Sequence, residues 1–120
     1  MGTILVVDDS AFMRATIRRI LESNGFTVVG EAENGRVAVE KYKELMPDLV
    51  TLDVIMGEMD GLNALNLIMA HNPDALVMMI SSMGQMPYVR EAINVGAKGF
   101  IVKPFNEKQI VDDITRLLKS

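Results

Sequence analysis

Four short polar strings punctuate this chain: Asp8-Asp9 near the start, Asp53 in the middle, Ser81-Ser82 further on and Lys103-Pro104 near the end. Each follows a run of apolar residues. If those runs are parallel strands of one sheet, the strings meet at one edge, where open α/β sheets bind their ligands. Three carboxylates, a hydroxyl and an ammonium then share a pocket. Adjacent carboxylates at a strand tip repel each other unless a cation sits between them. Mg2+ suits the place, because it takes oxygen ligands, keeps several waters, and needs only one or two carboxylates plus a phosphoryl oxygen. Asp53 is the candidate nucleophile, since carboxylates form aspartyl-phosphate intermediates. Phosphoryl transfer also asks for neutralised charge and atoms held in line. Lys103 offers a compact positive charge for this, and Ser81 offers a hydroxyl donor. The plainer use of Asp8-Asp9 is as an acidic cap on the helix that follows.

The elements that must position these groups are legible as periodicity. Five apolar runs read as strands: Ile4–Val7, Val28–Glu31, Leu49–Leu52, Leu76–Ile80 and Phe100–Val102. Several are apolar throughout, the pattern of parallel strands covered on both faces. Between and after them lie stripes with helical spacing. These are Met13, Ile17, Ile20 and Leu21; Val39, Tyr42, Leu45 and Met46; Leu65, Ile68 and Met69; Val89, Ala92 and Ile93; and Ile110, Ile114, Leu117 and Leu118. Turn and helix-end residues fall at the joints, at Asn24-Gly25, Gly61, Asn72-Pro73, Gly96 and Gly99. Strand–helix alternation of this kind predicts one doubly wound α/β domain over residues 1–120, with a parallel sheet and right-handed crossovers.

Composition narrows the function classes. The chain has 120 residues, 49% hydrophobic, with net charge −4 and no cysteine. It can bury a core, and it offers neither a disulfide framework nor a thiolate metal site. Its cations are scattered, which argues against direct nucleic acid binding. No apolar run approaches membrane-spanning length, and no signal peptide is evident, so the expected setting is cytoplasmic. Met1-Gly2 opens like an acylation signal, but Val6 stands where that motif wants Ser or Thr.

The strings Val7-Asp8-Asp9-Ser10, Asp53-x-x-Met56-x-x-Met59-Asp60-Gly61, Ser81-Ser82 and Lys103-Pro104-Phe105, in this order and spacing, carry a resemblance. Over Thr3 to about Leu118 the chain resembles the receiver domains of two-component response regulators, above all the stand-alone chemotaxis type. The phrases Ala11-Phe12-Met13-Arg14, Gly30-Glu31-Ala32-Glu33-Asn34-Gly35, Ser82-Met83-Gly84-Gln85 and Gly96-Ala97-Lys98 add to it. The resemblance implies a flavodoxin-like fold with five helices and strand order 2-1-3-4-5. It implies that Asp53 accepts a phosphoryl group from a histidine kinase. It implies Mg2+ as cofactor, with Asp9, Asp53 and the backbone carbonyl of Ile55 as ligands and Asp8 acting through water. A cis bond at Lys103-Pro104 would aim Lys103 into the pocket. Ser81 and Phe100 would form the switch. Output would pass through the fourth helix, fifth strand and fifth helix to a flagellar motor switch protein or its equivalent. The domain would be a monomer and a signalling module, phosphorylating itself from small donors and losing phosphate unaided, rather than an enzyme.

Four positions depart from, or add to, that pattern. Gly57 stands where the family usually has proline, which predicts a freer loop and weaker Mg2+ binding or altered kinetics. Ser82 replaces a common alanine and could narrow access to the phosphoryl group. Ile55 and Met83, two residues past Asp53 and Ser81, are apolar and cannot orient an attacking water. A long-lived phosphoryl state, ended by a helper phosphatase, is the expectation. His71 reads as a surface or helix-end residue, and Glu40–Glu44 as a solvated helix face with one i,i+3 Lys–Glu pair.

Other readings are weaker. An aspartate-nucleophile phosphatase needs a second Asp two residues after the first, where this chain has Ile55. A nucleotide-binding domain needs a glycine-rich string after the first strand, and there is none. A receiver of another pathway, such as pilus motility or a phosphorelay, stays open. So does a receiver separated from a DNA-binding output domain. If the chain is whole, output must come through protein contact.

Overall fold

The computed structural model describes residues 2–54, 56, 59–82 and 86–119. Strands and helices alternate along the chain: β1 (Thr3–Val7), α1 (Ala11–Ser23), β2 (Thr27–Ala32), α2 (Gly35–Leu45), β3 (Leu49–Leu52), α3 (Gly61–His71), β4 (Val77–Ser81), α4 (Met86–Val95), β5 (Gly99–Val102) and α5 (Glu107–Lys119). The five strands form one parallel sheet in the order β2-β1-β3-β4-β5. The expected fold class and strand order are therefore those of the molecule. Each strand lies within two residues of the run that predicted it.

Apolar strands alternate between two cores. Leu5, Val7, Val50, Leu52, Val77 and Met79 pack under α2, α3 and α4. Ile4, Val6, Leu49, Met78, Ile80 and Ile101 pack under α1 and α5. Both faces being covered is why the strands lack polar alternation. Helix starts are written locally. Ser10, Asn34, Asp60 and Asn106 accept hydrogen bonds from the amides of Met13, Val37, Asn63 and Gln109, satisfying donors the first turn leaves free.

The helical stripes hold except at their ends. Met46 is not on a helix: it caps α2 in the left-handed region at φ 45° and is half exposed. The cause is Pro47, which disfavours helical torsions in the residue before it. Leu45 and Ile93 are also exposed, Ile93 at 47%. Among the described residues the expected Lys–Glu pair of α2 is not formed. Lys41 instead donates to the main-chain oxygen of Glu31, and Arg36 pairs with Glu40. His71 is exposed at the end of α3, edge-on to Tyr42.

Candidate functional site

Strand alternation decides which polar residues meet. Asp8 continues Ile4 and Val6, Asp53 continues Leu49 and Thr51, and Lys103 continues Ile101, all on the face that carries α1 and α5. The ladder runs on past the strand ends and keeps these residues level. The Asp8 amide donates to the Ala32 carbonyl (3.1 Å), that of Asp53 to Val7 (3.2 Å) and that of Lys103 to Ser81 (2.8 Å). One carboxylate oxygen from each of Asp8, Asp9 and Asp53 lies within 4.8 Å of the others. Lys103 Nζ donates to Asp8 Oδ2 at 2.7 Å and to Asp53 Oδ2 at 3.4 Å. Asp8 and Asp53 are buried, at 1% and 6% exposure, while Asp9 is open to solvent.

The plainer use of the acidic pair is not what the structure contains. Ser10 caps α1, and the Asp8 carboxylate accepts the Ser10 amide at 2.9 Å while reaching Lys103 with its other oxygen. Ser81 is fully buried and arrives from the opposite strand parity, yet its hydroxyl lies near enough to favour the ionised Asp53 carboxyl. Phe100 pairs with Met79, which places it diagonally behind Ser81 on the α2–α4 face, partly buried against that core. The Lys103-Pro104 peptide is cis. Ile55, Gly57 and Met83 lie outside the described residues.

Electrostatics follow from burial and crowding. Burial pushes the Asp53 carboxyl above its ordinary pKa; the Lys103 charge opposes this, Asp8 adds to it, and the Ser81 hydroxyl pulls it down. Burial works against the Lys103 ammonium too, but the hydrogen bond to Asp8 and the two carboxylate charges outweigh it, leaving Lys103 above the ordinary lysine value. With all four groups ionised, three carboxylates and one ammonium leave a deficit of two positive charges. The donors are hard oxygens on two loops, those after β1 and β3. Both facts fit a divalent, oxygen-seeking cation such as Mg2+, and neither suits a soft thiophilic metal.

Two glycines allow close backbone approach beside the site. A Cβ on Gly61 would stand 1.8 Å from the Asp53 carbonyl oxygen, and one on Gly35 would stand 2.5 Å from that of Met59. Their amides donate to Val54 and Met59 respectively. The sequence marks Gly61 only as a joint; its pressure on the Asp53 backbone is a tertiary fact.

The response regulator receiver domain model matches residues 4–115. The chain belongs to the receiver domain family of response regulators. It is 55% identical to the chemotaxis protein CheY of Bacillus subtilis over 115 residues, 96% of each chain. It is 50% identical to the CheY of Thermotoga maritima over 116 residues, 97% of each chain. Among solved structures it resembles CheY in the CheX–CheY–BeF3–Mg2+ complex of Borrelia burgdorferi, with TM-score 0.94 and 38% identity, covering 96% of this chain and 87% of that one. The receiver domain of Thermotoga maritima CheB is a similar match, with TM-score 0.92 and 37% identity over 98% of this chain and 96% of that one. The receiver resemblance and its fold are thus borne out, and two-component signalling with them.

Sequence reasoning gave no role to Arg14, Arg18 and Glu31, whose side chains meet beside the receiver pocket. The i,i+4 spacing of the two arginines on α1 was the available signal. Nor did it single out Thr51, whose buried hydroxyl lacks a hydrogen-bond partner among the described residues. No described helix is long and apolar enough to cross a membrane.

Proposed function

We propose that this receiver takes a phosphoryl group on Asp53 from a histidine kinase and passes the signal to a chemotaxis output protein. The observation that carries the reading is the Lys103 ammonium bridging Asp8 and Asp53, with Asp9 beside them. Asp8, Asp9 and Asp53 would hold Mg2+, with the Ile55 carbonyl as a further ligand outside the described residues. The ion supplies positive charge against the phosphoryl oxygens. An Asp53 carboxylate oxygen attacks the phosphorus of a phosphohistidine, the P–N bond breaks with its electron pair kept by the ring nitrogen, and a neutral imidazole leaves, its proton being the one already on the other ring nitrogen. Burial favours that attack, because a partly desolvated carboxylate is a better nucleophile than a hydrated one. Lys103 neutralises charge on the acyl phosphate, and Ser81 donates its hydroxyl to a phosphoryl oxygen.

The same movement is the switch. Ser81 shifts toward the phosphoryl group, and Phe100 turns into the space behind it. The face formed by α4, β5 and α5 carries the result, with Met86, Ile93 and Val102 exposed at 56%, 47% and 43%. A flagellar motor switch protein or its equivalent is the proposed partner. The domain works as a cytoplasmic monomer and a stoichiometric switch, charging itself from small phosphodonors and discharging slowly, with a phosphatase to end the signal.

Intact-mass spectrometry after treatment with phosphoramidate tests the chemistry. One phosphoryl group is expected, dependent on Mg2+ and absent in Asp53→Asn. Binding to the purified motor switch protein, with and without beryllofluoride, tests the output. If the mimic leaves that binding unchanged, the motor role falls and the receiver chemistry stands.

A further inference from the structure

An ionic cluster lies next to the acidic pocket without being part of it. Glu31 on β2 accepts from Arg14 Nε at 3.2 Å and from Arg18 Nη1 at 2.7 Å, and Arg18 Nε reaches Glu22 at 3.3 Å. Arg14 Nη1 then donates to the backbone carbonyl of Asp8 at 2.7 Å. Arg14 is largely buried, its side chain 17% exposed. All four polar atoms of Asp8 are therefore engaged: its amide by Ala32, its carbonyl by Arg14, and its two carboxylate oxygens by the Ser10 amide and Lys103.

A β-bulge makes this possible. Ile4 pairs with Val28 but Leu5 pairs with Gly30, so Val29 is an extra residue and the alternation of β2 flips. Val28 faces the α1 side, yet Ala32, four residues on, faces α2. Glu31, level with Val6, is thereby turned toward α1 and its two arginines. Without the bulge it would face the other way.

We propose that Arg14 is a positioning residue for the cation site. Glu31, braced by Arg18, aims the Arg14 guanidinium at the Asp8 carbonyl, and that hydrogen bond fixes the strand-end torsions that point the Asp8 carboxylate into the pocket. The inference rests on the reading of Asp8 as a cation-holding residue. Charge alone would not place a guanidinium there, since a positive group beside a cation site repels the cation. Glu31 cancels that charge. The Arg18 hydrogen bond holds its carboxyl below the usual glutamate range, outweighing its partial burial, so it is ionised at neutral pH.

The sign of one measurement separates geometry from charge. Arg14→Met removes a positive charge near the site and by Coulomb's law alone would tighten Mg2+ binding. Positioning predicts the reverse: about tenfold weaker binding, the lower end of the loss seen when supporting partners of metal ligands are removed. Mg2+ titration calorimetry on the full chain reads this, at a temperature well below each metal-free protein's Tm. Arg14→Lys keeps the charge but cannot span Glu31 and Asp8 together, and is expected to fall between wild type and Arg14→Met. Unchanged or tighter binding in Arg14→Met overturns the proposal. If that variant does not fold, Arg14→Lys decides: weaker binding supports the proposal and wild-type binding overturns it. A wild type that binds no Mg2+ removes the cation-site reading itself, and this inference with it.

Discussion

Replacing Gly61 by alanine sets local propensity directly against tertiary packing. Gly61 is the first residue of α3, and glycine to alanine inside a helix ordinarily gains up to about 1 kcal/mol. Here the new methyl would stand 1.8 Å from the Asp53 carbonyl oxygen, 2.7 Å from its carbonyl carbon and 2.8 Å from the Val54 Cα. Every one of these atoms is backbone, so no side chain can swing away. Opening the first gap from 1.8 Å to 3.0 Å, the nearest approach real Cβ atoms make, moves the two segments apart by about 1.2 Å. The short hydrogen bond from the Gly61 amide to Val54, 2.6 Å, goes with them. Overpacking of this kind costs about 1–3 kcal/mol, and the lost hydrogen bond about 1 kcal/mol more. Offsetting the propensity gain leaves a net loss of about 2 kcal/mol, or roughly 8 °C in Tm for a domain of this size. The segment that moves carries the phosphoacceptor, so uptake from phosphoramidate should slow by about 100-fold, the scale of a 1 Å misplacement. Urea unfolding and the rate of phosphoryl uptake, both with saturating Mg2+, measure the two effects. A variant as stable as wild type, phosphorylated at the wild-type rate, would refute the close-approach argument.

Three further outcomes are expected. Asp53→Asn should melt above wild type at neutral pH. The folded-state pKa of Asp53 is raised, chiefly by burial, so the native protein holds this proton longer and ionisation weakens the fold as pH rises above the ordinary value of 3.8 toward the raised one; the advantage of the variant should vanish below 3.8. Lys103→Ala leaves two buried carboxylates facing each other and should lose about 3 kcal/mol at neutral pH by chemical denaturation. The folded pKa of Lys103 lies above 10.5, so its contribution is full below that value and is lost only as pH climbs through the raised one, giving wild type an alkaline unfolding limb that the variant lacks. Thr51→Val removes a buried hydroxyl that has no partner among the described residues and should raise stability by about 1 kcal/mol, read from the urea midpoint; a loss of similar size would mean that the hydroxyl has a partner.

The amino-acid order alone determined a good deal of this molecule, and for a simple reason. Strands buried on both faces are apolar throughout, and the first polar residue after each run must lie at the sheet edge. Asp8, Asp53, Ser81 and Lys103 could therefore be assigned to one edge before any coordinate was known. Helix starts at Ser10, Asn34 and Asp60 are equally local, because a cap needs only its own side chain and the next turn. The strand order itself came from family resemblance, since periodicity carries no information about neighbours across a sheet. Other features were misread locally or depended on residues distant in sequence. The end of α2 at Met46 turned on Pro47, a local signal outweighed by an apolar stripe that ran one residue too far. The inward role of Lys41 and the meeting of Arg14 with Asp8 and Glu31 needed the actual register of β1 against β2. That register contains a bulge at Val29, and a single extra residue reverses which face every later side chain of the strand occupies. Nothing in the alternation of Val28, Val29, Gly30, Glu31 and Ala32 announces such a slip, because it is settled by packing against Leu5 and Val6 on the neighbouring strand. The close approach of Gly61 to Asp53 is of the same kind: a contact across eight positions, decided only when α3 packs against the end of β3.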